Sequence, residues 1–318
     1  MIQEAIPIFY GIDDAYAPYL AASLTSLKAH RNPETHYEVT VLYQELAEVH
    51  KERMTALADD TLTIRFVSLE ENLYSRFDND KNVLRSDYFT LTIYYRLFIA
   101  DMFPEYDKAL YFDADTILLA DAAELYSTDL KGNLVGAVAD AFVCHTPIPA
   151  HYATAAIGAA PMRYVNSGVL VLDLAGLREL AFSAHFLELL NTYHFDLIAP
   201  DQDYLNAICR DRLLLLDPAW NVQTEHLLPG QTEAKLVHYN LFGKPWNYSD
   251  VPFEAPFWEF ANQTAYADEI KAIKDNYSPA EIAEDNAHQA ELVHKLEVLP
   301  DTECTFAKMA AKKVRIQL

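Results

Sequence analysis

Between residues 6 and 69 the chain alternates two kinds of segment. IPIFY (6–10), YEVTVLY (37–43) and LTIRFVSL (62–69) are short apolar runs; AYAPYLAASLTSLKAH and LAEVHKERMTALAD lie between them. Runs of this length read as strands of a buried sheet, and the intervening segments, the first with Leu20, Leu24 and Leu27 on one face, as helices. Asp13 or Asp14 is a natural N-cap for that helix. Such alternation specifies an α/β fold, a mostly parallel sheet with helices on both faces.

The rest of the chain extends this plan. Residues 71–90 are polar and read as an irregular loop, LTIYYRLFIADMF (91–103) is helical by its spacing, and ALYF and LVGAVAD (134–140) are strands. AFVCHTPIPAHYATAAIGAAPMR (141–163) reads as a loop with a short helix that could lie over a site, and YVNSGVLVLDL (164–174) as a strand pair or a strand edge. LAFSAHFLELLNTY and PDQDYLNAICRD are helices; LLLLDPAWN and KLVHYN are the last short strands. Beyond about residue 262 the composition turns helical, with Ser278, Pro279 and Glu281 forming a capping box and Ile282, Leu292 and Leu296 an apolar side. The expected organisation is an α/β domain over 1–255 and a helical extension over 256–318.

Composition limits the function. No apolar run approaches the ~18 residues that span a bilayer, and the start MIQEAIPIFYGIDD is no signal peptide. Cys144, Cys209 and Cys304 lack CxxC spacing, which fits a reducing compartment and argues against zinc or iron–sulfur chemistry. The expectation is a cytoplasmic protein. A formal charge of −23 repels nucleic acid but not a small anion held by a cation and local donors. The tail AKKVRIQL, with Lys312, Lys313 and Arg315, is either a solvated end or a weak contact with the inner membrane surface. Neither GxGxxG nor GxxxxGK[ST] occurs, so any nucleotide is bound by other means.

Asp-x-Asp appears at Asp78/Asp80, Asp113/Asp115 and Asp201/Asp203. The first pair sits in a polar stretch and reads as solvated. The second follows the run ALYF, where open α/β sheets place their ligands. Two carboxylates within about 5 Å repel by roughly 3 kcal/mol at an effective dielectric near 20. A divalent ion between them removes that cost, and Mg²⁺ and Mn²⁺ favour such oxygen ligands. The third pair, taken alone, reads as acids stabilising a helix N-terminus. HYNLFGKPW (238–246) gathers an imidazole, a glycine and a lysine after a short strand, where His238 could complete a metal site and Lys244 could meet phosphates.

Six blocks, in order over roughly residues 5–250, resemble the retaining glycosyltransferases of family 8, which have the GT-A fold: GIDDAYAPYLAASLTSL, TIYYRLFIAD, LYFDADTILLAD, YVNSGVLVLDL, PDQDYLN and HYNLFGKPW. The resemblance implies transfer of glucose or galactose from a UDP-sugar to a glycan, glycolipid or protein-linked acceptor. It implies that Asp13 and Tyr16 hold the uracil and that Arg96 faces the donor. Asp113, Asp115 and His238 would bind Mn²⁺ or Mg²⁺, with Ala114 also contacting the donor. Asn166 and Asp201 would hold hexose hydroxyls, Gln202 would lie beneath the anomeric carbon, and Lys244 would grip the diphosphate. Asp201 and Asp140 stand as alternative nucleophiles.

Many family members carry glycine three residues after the histidine. Here that residue is Leu241 and the glycine is Gly243, so the backbone contact to phosphate is expected to shift by two residues or be lost. Ala15 replaces an asparagine of some relatives, which puts one uracil contact in doubt. Two other readings compete: a haloacid-dehalogenase-like phosphatase with Asp113 as nucleophile, and a non-catalytic UDP-sugar-binding protein. Oligomerisation is open, with the 278–296 helix a candidate contact.

Overall fold

The computed structural model describes residues 5–68, 92–227, 231 and 233–318. Its main sheet is seven-stranded: β1 Ile6–Ile12, β2 Tyr37–Tyr43, β3 Leu62–Ser68, β4 Lys108–Phe112, β6 Val135–Ala139, β7 Val165–Asp173 and β8 Leu213–Leu215, in the order β3-β2-β1-β4-β7-β6-β8. A small second sheet joins β5 Thr116–Leu118, β9 Val222–Gln223 and β10 Leu236–His238.

Period-two alternation sends successive side chains into different cores. Leu110 and Phe112 of β4 join Ile8 and Tyr10 of β1 and the helix Ala17–His30 on one face. Ala109 and Tyr111 join Phe9, Leu170 and the helix Pro200–Ile208 on the other. Leu20, Leu24 and Leu27 are fully buried, as their spacing predicts, and Asp13 caps the 3₁₀ turn Asp14–Tyr16 that leads into their helix.

One reversal shapes the site. The segment 164–174 is a single strand, and it is internal rather than an edge: β7 runs antiparallel to both β4 and β6 between them. Pairing of Phe112 with Val169 puts the start of β7 beside the end of β4. Residues 141–163 are also more ordered than expected, forming the helices Ala141–His145 and Pro147–Tyr152, a π turn and a 3₁₀ turn. Each helical turn is too short to reveal a period. The expected loop over 71–90 and the Asp78/Asp80 pair lie outside the described residues.

The segments after residue 255 pack into both cores. Phe257, Phe260 and Ile270 lie with Trp246 and Tyr19, whereas Leu296, Phe306 and Met309 lie with Tyr204 and Phe195. The capping box at Ser278 forms, but Ile282 is exposed, leaving Leu292 and Leu296 as the helix's inner contacts. In the basic tail Val314, Ile316 and Leu318 pack against the core and the Leu318 N–H donates to Ile208, so its apolar residues are used internally. Among the described residues no helix is long and apolar enough to cross a membrane.

Candidate active site

The acids at the end of β4 converge because of how the sheet ends. The Asp113 N–H continues the ladder to the Gly168 carbonyl at 2.8 Å, and the Thr116 hydroxyl closes the turn on the Asp113 carbonyl at 2.8 Å. Asp113 and Asp115 thus bracket a tight turn with their carboxylates on one side. Antiparallel pairing of His238 with Thr116 then delivers the imidazole beside Asp115. His238 Nε2 lies 3.2 Å from Asp115 Oδ1 and 3.7 Å from Asp113 Oδ2.

A chain of buried amides fixes the histidine. Asn221 Nδ2 donates to Asn166 Oδ1 at 2.9 Å, so its own Oδ1 accepts from His238 Nδ1 at 3.0 Å. That arrangement leaves Nε2 turned to the carboxylates. Asn166 Nδ2 and Gln202 Nε2 both donate to Asp140 Oδ2, at 3.2 and 3.1 Å. Gln202 Oε1 in turn accepts from the Ser167 N–H at 3.0 Å, so this amide is held at both ends. Asp140 Oδ1 caps the helix Ala141–His145 through Val143.

Two cations pair with the carboxylates. Arg96 contacts Asp113 at 2.9 Å and Asp201 at 3.0 Å, and lies over the Tyr111 ring at 4.4 Å. Burial opposes its charge, yet Asp113 and Asp201 push the guanidinium above its ordinary range. Lys244 Nζ contacts Asp115 Oδ2 at 2.6 Å and donates to the Tyr239 carbonyl. Burial raises the Asp115 carboxyl, but Lys244 and His238 outweigh it and hold it well below the usual carboxylate range.

Two cavities meet at this cluster. One of about 560 Å³ is lined by Asp13, Tyr16, Arg96, Asp113, Ala114 and Asp115, along with Gln44 and Glu45. The other, of about 350 Å³, contains Asp140, Asn166, Gln202, His238 and Lys244. Tyr16, Asp113 and Asp115 line both. Leu292 and Leu296 of the C-terminal helix, with Phe142 and Pro149, add an apolar wall to the second. Asp201 lines neither and instead accepts from Arg96 and from Ser167 Oγ at 2.8 Å. Gly243 also lines neither, and its N–H donates to the Glu225 carboxylate.

Asp113, Asp115 and His238 fit a divalent cation. One ligand atom from each lies within 4.8 Å of the others. The histidine's second nitrogen has a hydrogen-bond partner, as metal-binding imidazoles usually do. Gly168 leaves the room: a Cβ there would fall 2.5 Å from Asp113 Oδ2 and 2.3 Å from His238 Cε1. The two carboxylates are hard oxygen donors of the kind Mg²⁺ and Mn²⁺ take, the imidazole adds a borderline nitrogen donor, and three protein ligands leave places for phosphate oxygens. Sequence reasoning missed Gly168, Ser167 and Asn221. The first two stood inside the recognised YVNSGV block; nothing local marked Asn221.

Comparison with known proteins adds an independent line. The profile of Glycosyl transferase family 8 matches residues 7–250. General stress protein A of Bacillus subtilis (strain 168) is 26% identical over 287 residues, covering 83% of this chain and 95% of that protein. The galactosyltransferase LgtC, crystallised with donor and acceptor sugar analogues, superposes with a TM-score of 0.66 at 24% identity, covering 82% of this chain and 96% of that one. The bifunctional glycosyltransferase WbbM gives a TM-score of 0.73 at 24% identity, covering 87% of this chain. This chain spans only 53% of the WbbM chain.

Proposed function

The chain belongs to glycosyl transferase family 8 and has the GT-A fold, and from that premise we propose a retaining, metal-dependent hexosyltransferase. Its donor is UDP-glucose or UDP-galactose, and its acceptor is the hydroxyl of a glycan, glycolipid or protein-linked sugar. The observation that carries this reading is the Asp113, Asp115, His238 cluster at the junction of the two cavities. A nucleoside lies in the cavity of Asp13 and Tyr16, and the hexose in that of Asn166 and Gln202, with the diphosphate at the junction.

Mn²⁺ or Mg²⁺ on the three ligands, when bound, neutralises negative charge on the diphosphate. Lys244 adds a second positive charge at the same junction. Arg96 holds Asp113 in place and faces the donor from the nucleoside side. Transfer breaks the bond from the anomeric carbon to the diphosphate and forms a bond to the acceptor oxygen on the same face. The departing phosphate takes the acceptor's proton. Gln202, a poor nucleophile held by Ser167 and Asp140, orients the sugar and supports the oxocarbenium-like carbon with its amide dipole. Asp140 accepts three hydrogen bonds, which lowers its nucleophilicity and favours the front-side path.

Thermal unfolding with UDP and Mn²⁺, separately and together, tests the site. Ligand at about 100 times its Kd adds about 2.7 kcal/mol, a shift of several degrees for a chain of this size. The expected shift needs both ligands and vanishes in Asp115→Ala; no shift in the native protein ends the transferase reading. Slow hydrolysis of the correct UDP-hexose, followed by NMR, should release the α-anomer first. The phosphatase alternative has no support in fold or family. A non-catalytic UDP-sugar binder would show the thermal shift and release no hexose from either donor.

A further inference from the structure

The turn after β10 contains a residue in an unfavourable conformation and a carboxylate that spans it. Leu241 has φ 58, in the left-handed region where a side chain is strained. Gly243, the glycine of the turn, does not share that conformation, so backbone freedom does not explain it. Its role is space: a Cβ at Gly243 would fall 2.9 Å from Glu225 Oε1 and 3.1 Å from Glu225 Cγ. The Glu225 carboxylate occupies that space and accepts from the N–H groups of both Phe242 (3.1 Å) and Gly243. Parallel pairing of His238 with Gln223 brings Glu225, two residues beyond β9, alongside this turn.

What the turn holds faces the proposed donor. Asn240, Leu241 and Lys244 all line the cavity beside the metal cluster. The Asn240 Oδ1 is buried there without a hydrogen-bond partner, as expected of a turn shaped for a ligand. Strain of this kind persists only where surrounding contacts impose it. The two hydrogen bonds to Glu225 are that contact on the backbone side of the turn.

Building on the UDP-sugar reading, we infer that Glu225 is a positioning residue for the donor diphosphate. It clasps residues 241–243 in the strained form that presents Lys244 to the phosphates. It touches neither metal nor donor. Its carboxylate takes the backbone N–H groups that a phosphate would otherwise use, so in this chain the diphosphate is held by the lysine rather than by the main chain.

UDP affinity, measured by calorimetry in saturating Mn²⁺, tests the clasp. Glu225→Ala, which removes the acceptor oxygen that a glutamine would keep, is expected to weaken UDP about tenfold, because the strained turn is no longer favoured. Gly243→Ala should do the same by forcing the carboxylate away. Leu241→Gly alone should leave affinity within about twofold, and in the Glu225→Ala background should recover most of the loss. Mn²⁺ alone should bind every variant as it binds the native protein, which separates loss of the clasp from loss of the fold. Equal or tighter UDP binding by Glu225→Ala would identify the carboxylate as a competitor of the phosphate and overturn the inference. A double variant no better than Glu225→Ala would overturn it too. Absence of UDP binding by the native protein removes the transferase reading itself.

Discussion

Asp113 and Asp115 follow a strand, whereas Asp201 and Asp203 open a helix, and the same spacing meets opposite geometry in the two places. The turn between β4 and β5, closed by the Thr116 hydroxyl on the Asp113 carbonyl, brings the first pair together at His238. In a helix they lie about 200° apart, so the second pair diverges. Asp201 turns to Arg96 and Ser167. Asp203 is fully buried and accepts from Tyr152 (2.8 Å), Tyr164 (2.6 Å) and the N–H groups of Ile198 and Ala199 (both 3.1 Å). One pair joins a candidate metal cluster; the other joins the helix of Gln202 to its surroundings.

The largest expected effect is in the converging pair. Asp115→Ala should reduce Mn²⁺ affinity by at least about a hundredfold, read by calorimetry, because a ligand matters more than the outer partners whose loss costs about 10–100-fold. Retained affinity would mean that the acids converge for some reason other than a cation. Gly168→Ala tests the same point from the opposite strand. Its Cβ would enter the space between Asp113 and His238, so Mn²⁺ binding should weaken about tenfold or more while far-UV circular dichroism stays native.

Asp203→Asn should leave Mn²⁺ affinity unchanged and lower stability by about 1–3 kcal/mol, because the amide oxygen still serves Tyr152 and the two N–H groups but an NH2 donor now faces the Tyr164 hydroxyl. Burial, only partly offset by these donors, raises the Asp203 carboxyl from 3.8 to about 6. The folded state therefore holds the proton more tightly than the unfolded state. Its contribution to stability is full below about pH 4 and declines as pH rises through about 6. Denaturant titrations between those values should show that decline in the native protein and not in Asp203→Asn; parallel curves would show that Asp203 titrates normally. The smallest effect belongs to Asp201→Asn. Arg96 keeps Asp113 at 2.9 Å, so the expected cost is about 1–2 kcal/mol with Mn²⁺ affinity changed less than about threefold.

The contrast also explains what could be read in advance. Strand and helix alternation identified the sheet because each run buries a defined face, and the position of Asp113 and Asp115 after ALYF marked them out. The divergence at Asp201 and Asp203 could be stated only as a helix start, because what each faces depends on packing. Tyr152 and Tyr164, which bind Asp203, lie in or beside a segment without a period. Asn221 and Glu225 act through the pairing of β9 with β10, two residues long at β9, which is too short to announce itself. Gly243 was visible, but its purpose was not: the residue requiring it is 18 positions away.

The reversed strand β7 has an evolutionary consequence. Asn166, Ser167 and Gly168 serve the amide chain, Arg96 and the cluster of Asp113, Asp115 and His238 in turn, each from its own place in the pleat. Substitutions can tune these positions one at a time. Losing or gaining a single residue between Tyr164 and Gly168 would move the trio across the pleat together, because a one-residue slip exchanges the two sides of a strand. Lineages of this protein should therefore keep the length of this segment fixed, with insertions and deletions displaced to the surface turns.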